Sequence, residues 1–191
     1  MTFTLDPTTT ALIVIDLQRG IVARQAAPHS ASEVVERCAK LAGEFRSQKS
    51  LVVLVHVAFF DERERLEPEA DSAPPSGPMP ADWSDIVPEI GPRPGDIVIT
   101  KRQWGAFYGT ALDLQLRRRG IRTLVYGGIA TNFGVESTAR DAYERGFEQV
   151  FVEDAMSGLT AEAHQFAITT IFPRMGRIRS TDDVLAAITA R

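Results

Sequence analysis

The sequence has few of the features that build disulfide frameworks, membrane spans or nucleic-acid surfaces. Its 191 residues include one cysteine, so no intramolecular disulfide can form. No apolar run approaches the ~20 residues that cross a bilayer, and the first ten residues lack the basic and apolar regions of a signal peptide. The formal net charge is −4 without any basic block, which argues against a nucleic-acid partner. These absences predict a cytoplasmic protein without a membrane partner.

The size and composition are those of one globular domain. Hydrophobic residues make up 44% of the chain and charged residues 24%, and the length suffices for one complete core. No internal repeat or linker divides the chain, so we predict a single domain over residues 1–191. Neither GxGxxG nor GxxxxGK[ST] occurs, and nothing therefore marks a nucleotide site.

Short apolar runs rich in β-branched residues alternate with helical patterns along the chain. Runs without polar alternation are typical of buried parallel strands. They predict strands over residues 11–15, 51–57, 96–100, 123–126, 149–152 and 177–179. Apolar residues at helical spacing predict helices over residues 33–48, 111–119, 135–145, from 160 or 162 to 171, and 182–190. This alternation predicts an α/β fold whose parallel sheet is covered by helices on both faces.

Capping residues, breakers and loop-forming residues separate these elements. Ser30 or Ser32 is predicted to open the first helix, Thr181 to cap the last, and Pro173 to stop the helix before it. Residues 20–30 and 58–93 are predicted loops, the second with a turn of helix near its end. A loop that long is often a lid or an oligomer contact, and the alternative is a solvated surface excursion.

Charged side chains stand where three predicted strands end. Asp16 follows the first strand, His56 lies near the end of the second and Lys101 follows the third. Ligands of parallel sheets bind at the carboxyl ends of the strands, so these residues are candidates for a site. Each also has a structural alternative: a turn acid, a hydrogen-bonded histidine at a strand end and a surface lysine.

A glycine-rich turn, GGIATNFGVESTARD over residues 127–141, joins the fourth strand to a helix. A strand that ends in glycines and turns into a helix places backbone N–H groups at the carboxyl edge of the sheet. A helix N-terminus there favours negative charge. The turn is therefore the predicted floor of an active site, with Gly134 at its centre.

Three phrases together resemble the isochorismatase-like hydrolase superfamily, which includes isochorismatases, nicotinamidases and N-carbamoylsarcosine amidases. They are ALIVIDLQ around Asp16, KRQWGAF from Lys101, and GGIATNFGVESTARDA, in matching order over nearly the whole chain. The resemblance implies a six-stranded, mostly parallel, Rossmann-like sheet in a three-layer α/β/α sandwich. It also implies a cofactor-free hydrolase of a small molecule that forms a homo-oligomer, either a dimer or a tetramer.

Cysteine hydrolases of this superfamily use an Asp, Lys and Cys triad in which the thiolate attacks an amide carbon. The resemblance carries the Asp to Asp16 and the Lys to Lys101, but the Cys position is Gly134. Cys38 lies on the buried face of a predicted helix, where cysteine is usually core filler. A covalent mechanism is therefore disfavoured. Nicotinamidases bind a metal through an Asp and two His, but HVAFFDERERL here has no second histidine, so we predict no metal.

True isochorismatases resemble this chain in lacking the cysteine while keeping the acid and the lysine. They hydrolyse a vinyl ether, which needs a proton donor but no covalent enzyme intermediate. By resemblance Asp16 is the general acid, its pKa raised by burial and lowered again by Lys101. Arg63 and Arg102 are available for the carboxylates of isochorismate. The alternatives are a catalytically silent binding protein and an amide hydrolase whose Asp16 activates water.

The resemblance also supplies residues around this centre. Gln18 is expected to orient substrate or water. Pocket residues are expected at Trp104, Phe107 and Phe133, and the first two have core packing as the alternative. The peptide between Ile129 and Ala130 matches a position that is often cis in the superfamily, and the turn after it is expected to aim backbone N–H groups at a developing negative charge.

Overall fold

The fold is built on one parallel β-sheet. A computed structural model describes residues 3–72 and 79–189. Its six strands are β1 (Thr10–Ile15), β2 (Leu51–Val57), β3 (Ile97–Lys101), β4 (Thr123–Ile129), β5 (Glu148–Ser157) and β6 (Arg177–Arg179). All neighbouring strands are parallel, in the order β3-β2-β1-β4-β5-β6. The predicted six-stranded α/β architecture is confirmed.

Helices cover both faces of this sheet. They are α1 (Arg19–Val22), α2 (Ala31–Ser47), α3 (Leu112–Arg118), α4 (Glu136–Glu144), α5 (Ala161–Phe166) and α6 (Thr181–Thr189). Leu12 and Val14 of β1 pack into a core with α2 and α6. Ala11, Ile13 and Ile15, which alternate with them, pack into a second core with α3, α4 and the helical segment after α5. The period of two along a buried strand thus divides one apolar run between two cores.

Several predicted boundaries are wrong. Ser180, not Thr181, caps α6, because its hydroxyl accepts the Asp183 N–H at 3.2 Å while the Asp183 carboxylate accepts the Ser180 N–H at 3.0 Å. Pro173 does not end a continuous α-helix. The α5 helix continues as a π-helical segment, Ala167–Ile171, and a 3-10 turn, Phe172–Arg174, that contains the proline. Of the two residues predicted to open α2, Ser30 is the cap, because it forms a capping box with Glu33.

The long loop is anchored next to the end of β1. Residues 81–84 form a turn rather than helix, and Ile86 bridges to Gln18 in antiparallel fashion. Trp83 packs against Gly20, where an added Cβ would overlap the indole ring. A 3-10 turn, Glu62–Glu64, lies earlier in the loop, and part of the predicted loop, residues 73–78, falls outside the described residues.

The sheet order positions the site. The chain moves from β1 outward to β3, and then returns to place β4 on the other side of β1. The carboxyl ends of β1 and β4 lie where this order reverses, the position at which open parallel sheets usually bind their ligands. None of the described helices is long and apolar enough to span a bilayer.

Candidate active site

Asp16 directly follows β1 at the carboxyl edge of the sheet. Its φ angle is +56°, in the left-handed region that non-glycine residues seldom adopt, although aspartate tolerates it better than most. Its N–H donates to the Val55 carbonyl at 2.8 Å, which holds the backbone against β2. The residue is only 6% exposed. This unusual backbone conformation lies directly at the carboxyl end of β1, and such conformations concentrate at functional sites.

Lys101 brings a buried ammonium to this carboxyl. It is the last residue of β3 and pairs in register with Val57 of β2, so β2 separates it from β1. The lysine Nζ lies 2.8 Å from Asp16 Oδ2 and donates to the Trp104 carbonyl at 2.5 Å. Its side chain has no exposed surface. The alternative of a surface lysine is therefore wrong.

The two oxygens of Asp16 have different surroundings. Oδ2 accepts from Lys101, whereas Oδ1 is buried and has no hydrogen-bond partner among the described residues. Burial raises the pKa of Asp16 above its ordinary value, and the charge and hydrogen bond of Lys101 act in the opposite direction, with a smaller opposing effect from His56. The net direction is upward, so burial dominates. Oδ1 is therefore the oxygen of this carboxyl that Lys101 does not hold.

Gly134 faces this carboxyl–lysine pair. It lies in a π-helical turn, Thr131–Val135, between β4 and α4. A Cβ at Gly134 would lie 2.9 Å from Asp16 Oδ2, 3.0 Å from Lys101 Nζ and 2.9 Å from Ile15 Cγ2. The structure thus brings together the three residues that the resemblance placed in the catalytic group. The Asp16–Lys101 ion pair lies directly next to the position that a side chain at residue 134 would occupy.

We expect Gly134→Ala to destabilise the fold by about 1–3 kcal/mol, because the new methyl group enters a packed, charged cluster. The matched control is Gly43→Ala in α2, where an added Cβ has nothing within 4 Å. That control should be neutral or stabilising by up to about 1 kcal/mol, because alanine is the better helix former. Urea unfolding of both variants measures the difference, and equal behaviour would show that Gly134 has room for a side chain.

The cysteine of the chain lies elsewhere. Cys38 is buried on α2, and its thiol donates to the Ala155 carbonyl at 3.3 Å. Burial raises the pKa of this thiol far above its ordinary value, and the charge of Asp154 adds to the shift. Cys38 is therefore core filler, as predicted, and no thiolate is available to the Asp16–Lys101 pair.

Gln18 has a structural role instead of the predicted substrate contact. Its side chain is fully buried, and Oε1 accepts from the Val57 N–H at 2.7 Å. Its Nε2 donates to the carbonyls of Val57 at 3.0 Å and Trp83 at 3.2 Å. Both N–H groups and the oxygen of the carboxamide therefore form hydrogen bonds that tie the end of β2 and the long loop to the end of β1.

The three predicted pocket aromatics have different positions. Trp104 is 64% exposed and meets Phe133 edge to face, with ring centroids 4.9 Å apart. The Trp104 carbonyl accepts a hydrogen bond from Lys101, so the backbone of Trp104 contacts the pair while its ring contacts Phe133. Phe107 is 4% exposed and packs near Phe147 in the core, with centroids 6.0 Å apart. Core packing, the alternative for Phe107, is the correct one.

The peptide between Ile129 and Ala130 is cis, as the resemblance implies. The turn after it uses its amides internally. The N–H groups of Phe133 and Val135 both donate to the Ala130 carbonyl, at 3.1 and 3.2 Å. These two amides are therefore not free to form the predicted oxyanion hole.

His56 does not present a metal site. Its Nδ1 bonds to the Ser84 carbonyl at 2.8 Å and its Nε2 to the Thr100 hydroxyl at 2.9 Å. Both ring nitrogens are thus occupied, which is the hydrogen-bonded alternative for this residue. Within residues 3–72 and 79–189, no group of three His, Cys, Asp or Glu side chains is arranged to hold a metal ion. The residues present do not fit the nicotinamidase metal.

A buried histidine next to the π-helical turn was not predicted from the sequence. His164 of α5 is 4% exposed, and its Nδ1 lies 2.9 Å from the Thr131 hydroxyl at the start of the π-helical turn. Its ring meets that of His29 edge to face, with centroids 6.1 Å apart. Burial, helped by the charge of His29, lowers the pKa of His164 to about 4. No local motif signals this contact, since 33 residues separate the partners.

This histidine predicts an acid-sensitive stability. Between pH 6.5 and about 4 the unfolded chain binds a proton at His164 that the folded chain excludes, so the free energy of unfolding falls as pH falls. We expect a loss on the order of 2 kcal/mol across this window. His164→Asn, which keeps a hydrogen-bonding atom near Nδ1, should remove most of that loss in urea unfolding at several pH values. His29→Gln is the control and should retain most of it, because burial of His164 is unchanged.

Comparisons with known proteins agree with this arrangement. A model of the isochorismatase domain matches residues 10–183. The isochorismatase family protein YwoC of Bacillus subtilis is 49% identical over 189 residues, which cover 98% of each chain. The structure of an isochorismatase family protein from Burkholderia thailandensis aligns over 100% of both chains, with a TM-score of 0.94 and 46% identity. The ureidoacrylate amidohydrolase RutB of Variovorax paradoxus is 42% identical over 100 residues, 52% of this chain and 40% of that protein. The chain therefore belongs to the isochorismatase family of hydrolases.

Proposed function

We propose that this protein hydrolyses a vinyl ether in a small metabolite, with Asp16 as general acid and without a covalent enzyme intermediate. One observation carries the proposal. The buried Asp16 carboxyl has one oxygen held by Lys101 and the other without a partner among the described residues, beside a glycine where related hydrolases carry a nucleophile. Such a centre can deliver a proton but has no thiol at residue 134 to attack a carbon.

The reaction needs only these groups and water. Asp16 Oδ1 transfers its proton to the terminal vinyl carbon, and the ether carbon becomes an oxocarbenium ion. Water adds to this carbon and returns a proton to Asp16. The resulting hemiketal then breaks its C–O bond to give a ketone and an alcohol. The proton lost in the first step is thus recovered in the second, and the enzyme is unchanged.

Lys101 has opposite effects on the two states of Asp16. Its ammonium disfavours the protonated acid in the resting enzyme, while burial favours it. Once the proton leaves, the same ammonium stabilises the new carboxylate across 2.8 Å in a buried position. The lysine therefore lowers the energy of the charged transition state at the expense of some ground-state acid.

Arg102 is not free to bind a substrate carboxylate. Its Nε donates to Glu64 Oε2 at 2.7 Å, so its charge is already paired. Enol ethers with one carboxylate are therefore tested beside isochorismate, the dicarboxylate that the family resemblance implies. The predicted homo-oligomer stays a prediction, which size-exclusion chromatography with light scattering would test.

A second candidate is direct hydrolysis of an amide by water that Asp16 activates as a base. The ion pair with Lys101 favours amide hydrolysis, since it stabilises the carboxylate form of Asp16 that would act as the base. The relative RutB is also named as an amidohydrolase. The two candidates need opposite protonation states of one carboxyl. Rising pH therefore slows a reaction that needs the acid and speeds one that needs the base.

The test is turnover of both substrate classes by the purified protein. We expect pyruvate release from isochorismate or a related enol ether, and no ammonia release from nicotinamide, ureidoacrylate or N-carbamoyl amino acids. Ammonia release without pyruvate release would move the assignment to the amide hydrolase. Turnover of neither class, with saturable binding in a thermal-shift screen, would favour the silent binding protein.

A further inference from the structure

The hydroxyl of Thr138 connects two segments that meet at the site. Thr138 lies in α4 and has no exposed surface. Its Oγ1 donates to the Gly134 carbonyl at 2.6 Å and accepts from the Ala106 N–H at 3.1 Å. The first bond reaches the π-helical turn and the second reaches the segment after β3. One buried hydroxyl therefore holds the two segments that carry Gly134 and the Lys101 anchor at a set separation.

The segment after β3 determines where the lysine ammonium points. Lys101 Nζ donates to the Trp104 carbonyl, two residues before the amide that Thr138 binds. Gly105 between them packs closely on α4, since an added Cβ would lie 3.2 Å from Asp141 Oδ2. A shift of this segment relative to α4 would move the Trp104 carbonyl, and the ammonium with it.

We infer that Thr138 is a positioning residue, which aligns the Lys101 ammonium with Asp16 Oδ2 through its bonds to Gly134 and Ala106. Thr138 is not a catalytic residue, because none of its hydrogen bonds reaches Asp16 or Lys101. The inference rests on the proposed function only where it names Asp16 as the reacting acid.

The physical need for such a residue follows from the chemistry of lysine. An ammonium at the end of a four-carbon stem has many rotamers, so its direction must come from its surroundings. Electrostatic stabilisation of a developing carboxylate works best when the charge is already in place. A displacement of about 1 Å at such a centre can lower the rate by as much as 10²-fold.

The experiment compares Thr138→Val, which keeps the shape but removes the hydroxyl, with Thr138→Ser, which keeps the hydroxyl. Thr169→Val is the matched control, because Thr169 also donates to a carbonyl four residues earlier, that of Gln165 at 2.7 Å, but on an exposed surface. The readouts are the Asp16 carboxyl titration by ¹³C NMR, thermal unfolding, and kcat and KM on the substrate that the turnover test identifies.

In Thr138→Val we expect the pKa of Asp16 to rise by about one unit, because the ammonium that opposes protonation moves away. We expect kcat to fall on the order of tenfold with little change in KM. Thr138→Ser should restore both values towards the wild type, and Thr169→Val should change neither. These results together would support the positioning role.

A purely structural role predicts something else. Thr138→Val would then unfold at a lower temperature with an unchanged Asp16 titration, and that result would overturn the inference. If Thr138→Val does not fold, Thr138→Ala gives the same reading, and a wild-type titration in it would again overturn the inference. The titration needs no substrate, so it decides the role of Thr138 even if the wild-type protein hydrolyses no vinyl ether.

Discussion

Asp16→Asn lowers kcat/KM for the vinyl-ether substrate by about 10²–10⁴-fold, the usual contribution of a placed general acid. Asparagine is the matched replacement because it has the same shape and also tolerates the φ of +56° at this position. It cannot donate a carboxylic proton to carbon. The pH profile should change as well. In the wild type kcat/KM falls as pH rises through the pKa of Asp16, and the variant should lack that limb.

The control for Asp16→Asn is Asp182→Asn, which removes an exposed carboxylate of α6 that pairs with Lys40. Exposed pairs of this kind contribute little, so activity and stability should stay near those of the wild type. Thermal unfolding of each variant shows whether a loss of activity reflects a loss of fold. Unchanged turnover in folded Asp16→Asn would refute the general-acid assignment.

Lys101→Met has the largest expected effect on stability. Removing one partner of a buried ion pair leaves the other charge uncompensated and typically costs about 3–5 kcal/mol. The loss should depend on pH. Without the ammonium the pKa of Asp16 rises further, so the folded variant favours the protonated acid, and its free energy of unfolding decreases as pH rises above the unfolded value of 3.8. Urea unfolding between pH 4 and 8 measures this slope.

The double variant separates charge from packing. Asp16→Asn combined with Lys101→Met leaves no buried charge at this place, so it should be more stable than Lys101→Met alone. Arg46→Met is the matched control for activity. Arg46 pairs with Asp96 at 2.8 Å in another largely buried contact. Asp96 directly precedes β3, so this pair lies at the amino end of the strand whose carboxyl end carries Lys101. Arg46→Met should lower the free energy of unfolding but leave kcat unchanged. If the stability losses of Asp16→Asn and Lys101→Met simply add in the double variant, that result would contradict a coupled pair.

Local patterns were sufficient for the layout of the chain. Apolar β-branched runs identified the six strands, and helical spacing identified α2 to α6. The short helix α1, Arg19–Val22, overlaps the segment predicted as a loop over residues 20–30, so that prediction is wrong there. The predicted ends of β4 and β5 were too early, because glycines and acids there read as turns. In the structure β4 continues to Ile129 and β5 to Ser157, with a register shift between Tyr126 and Gly128. Both β4 and β5 are extended by pairing with strands that are distant in sequence, and local residue propensity carries no information about such pairing.

The direction of individual side chains required the tertiary structure. The resemblance implies a substrate or water contact for Gln18, but its carboxamide is used by the backbone of Val57 and Trp83. It implies a pocket position for Phe107, but that ring packs in the core. In both cases the partners lie on other segments, so no pattern within the phrase could assign the role.

By itself the sequence determined the fold class, the order of the strands along the chain, the strand-end positions of Asp16 and Lys101, and the turn after β4 that contains Gly134. Strand ends follow from local composition, and parallel strands bring their carboxyl ends to one edge. Only the tertiary structure decided the charge balance there. It paired Lys101 with one oxygen of Asp16, left the other without a partner among the described residues, and buried both. Burial and the 2.8 Å contact arise from long-range packing, and they set the pKa on which the proposed chemistry depends.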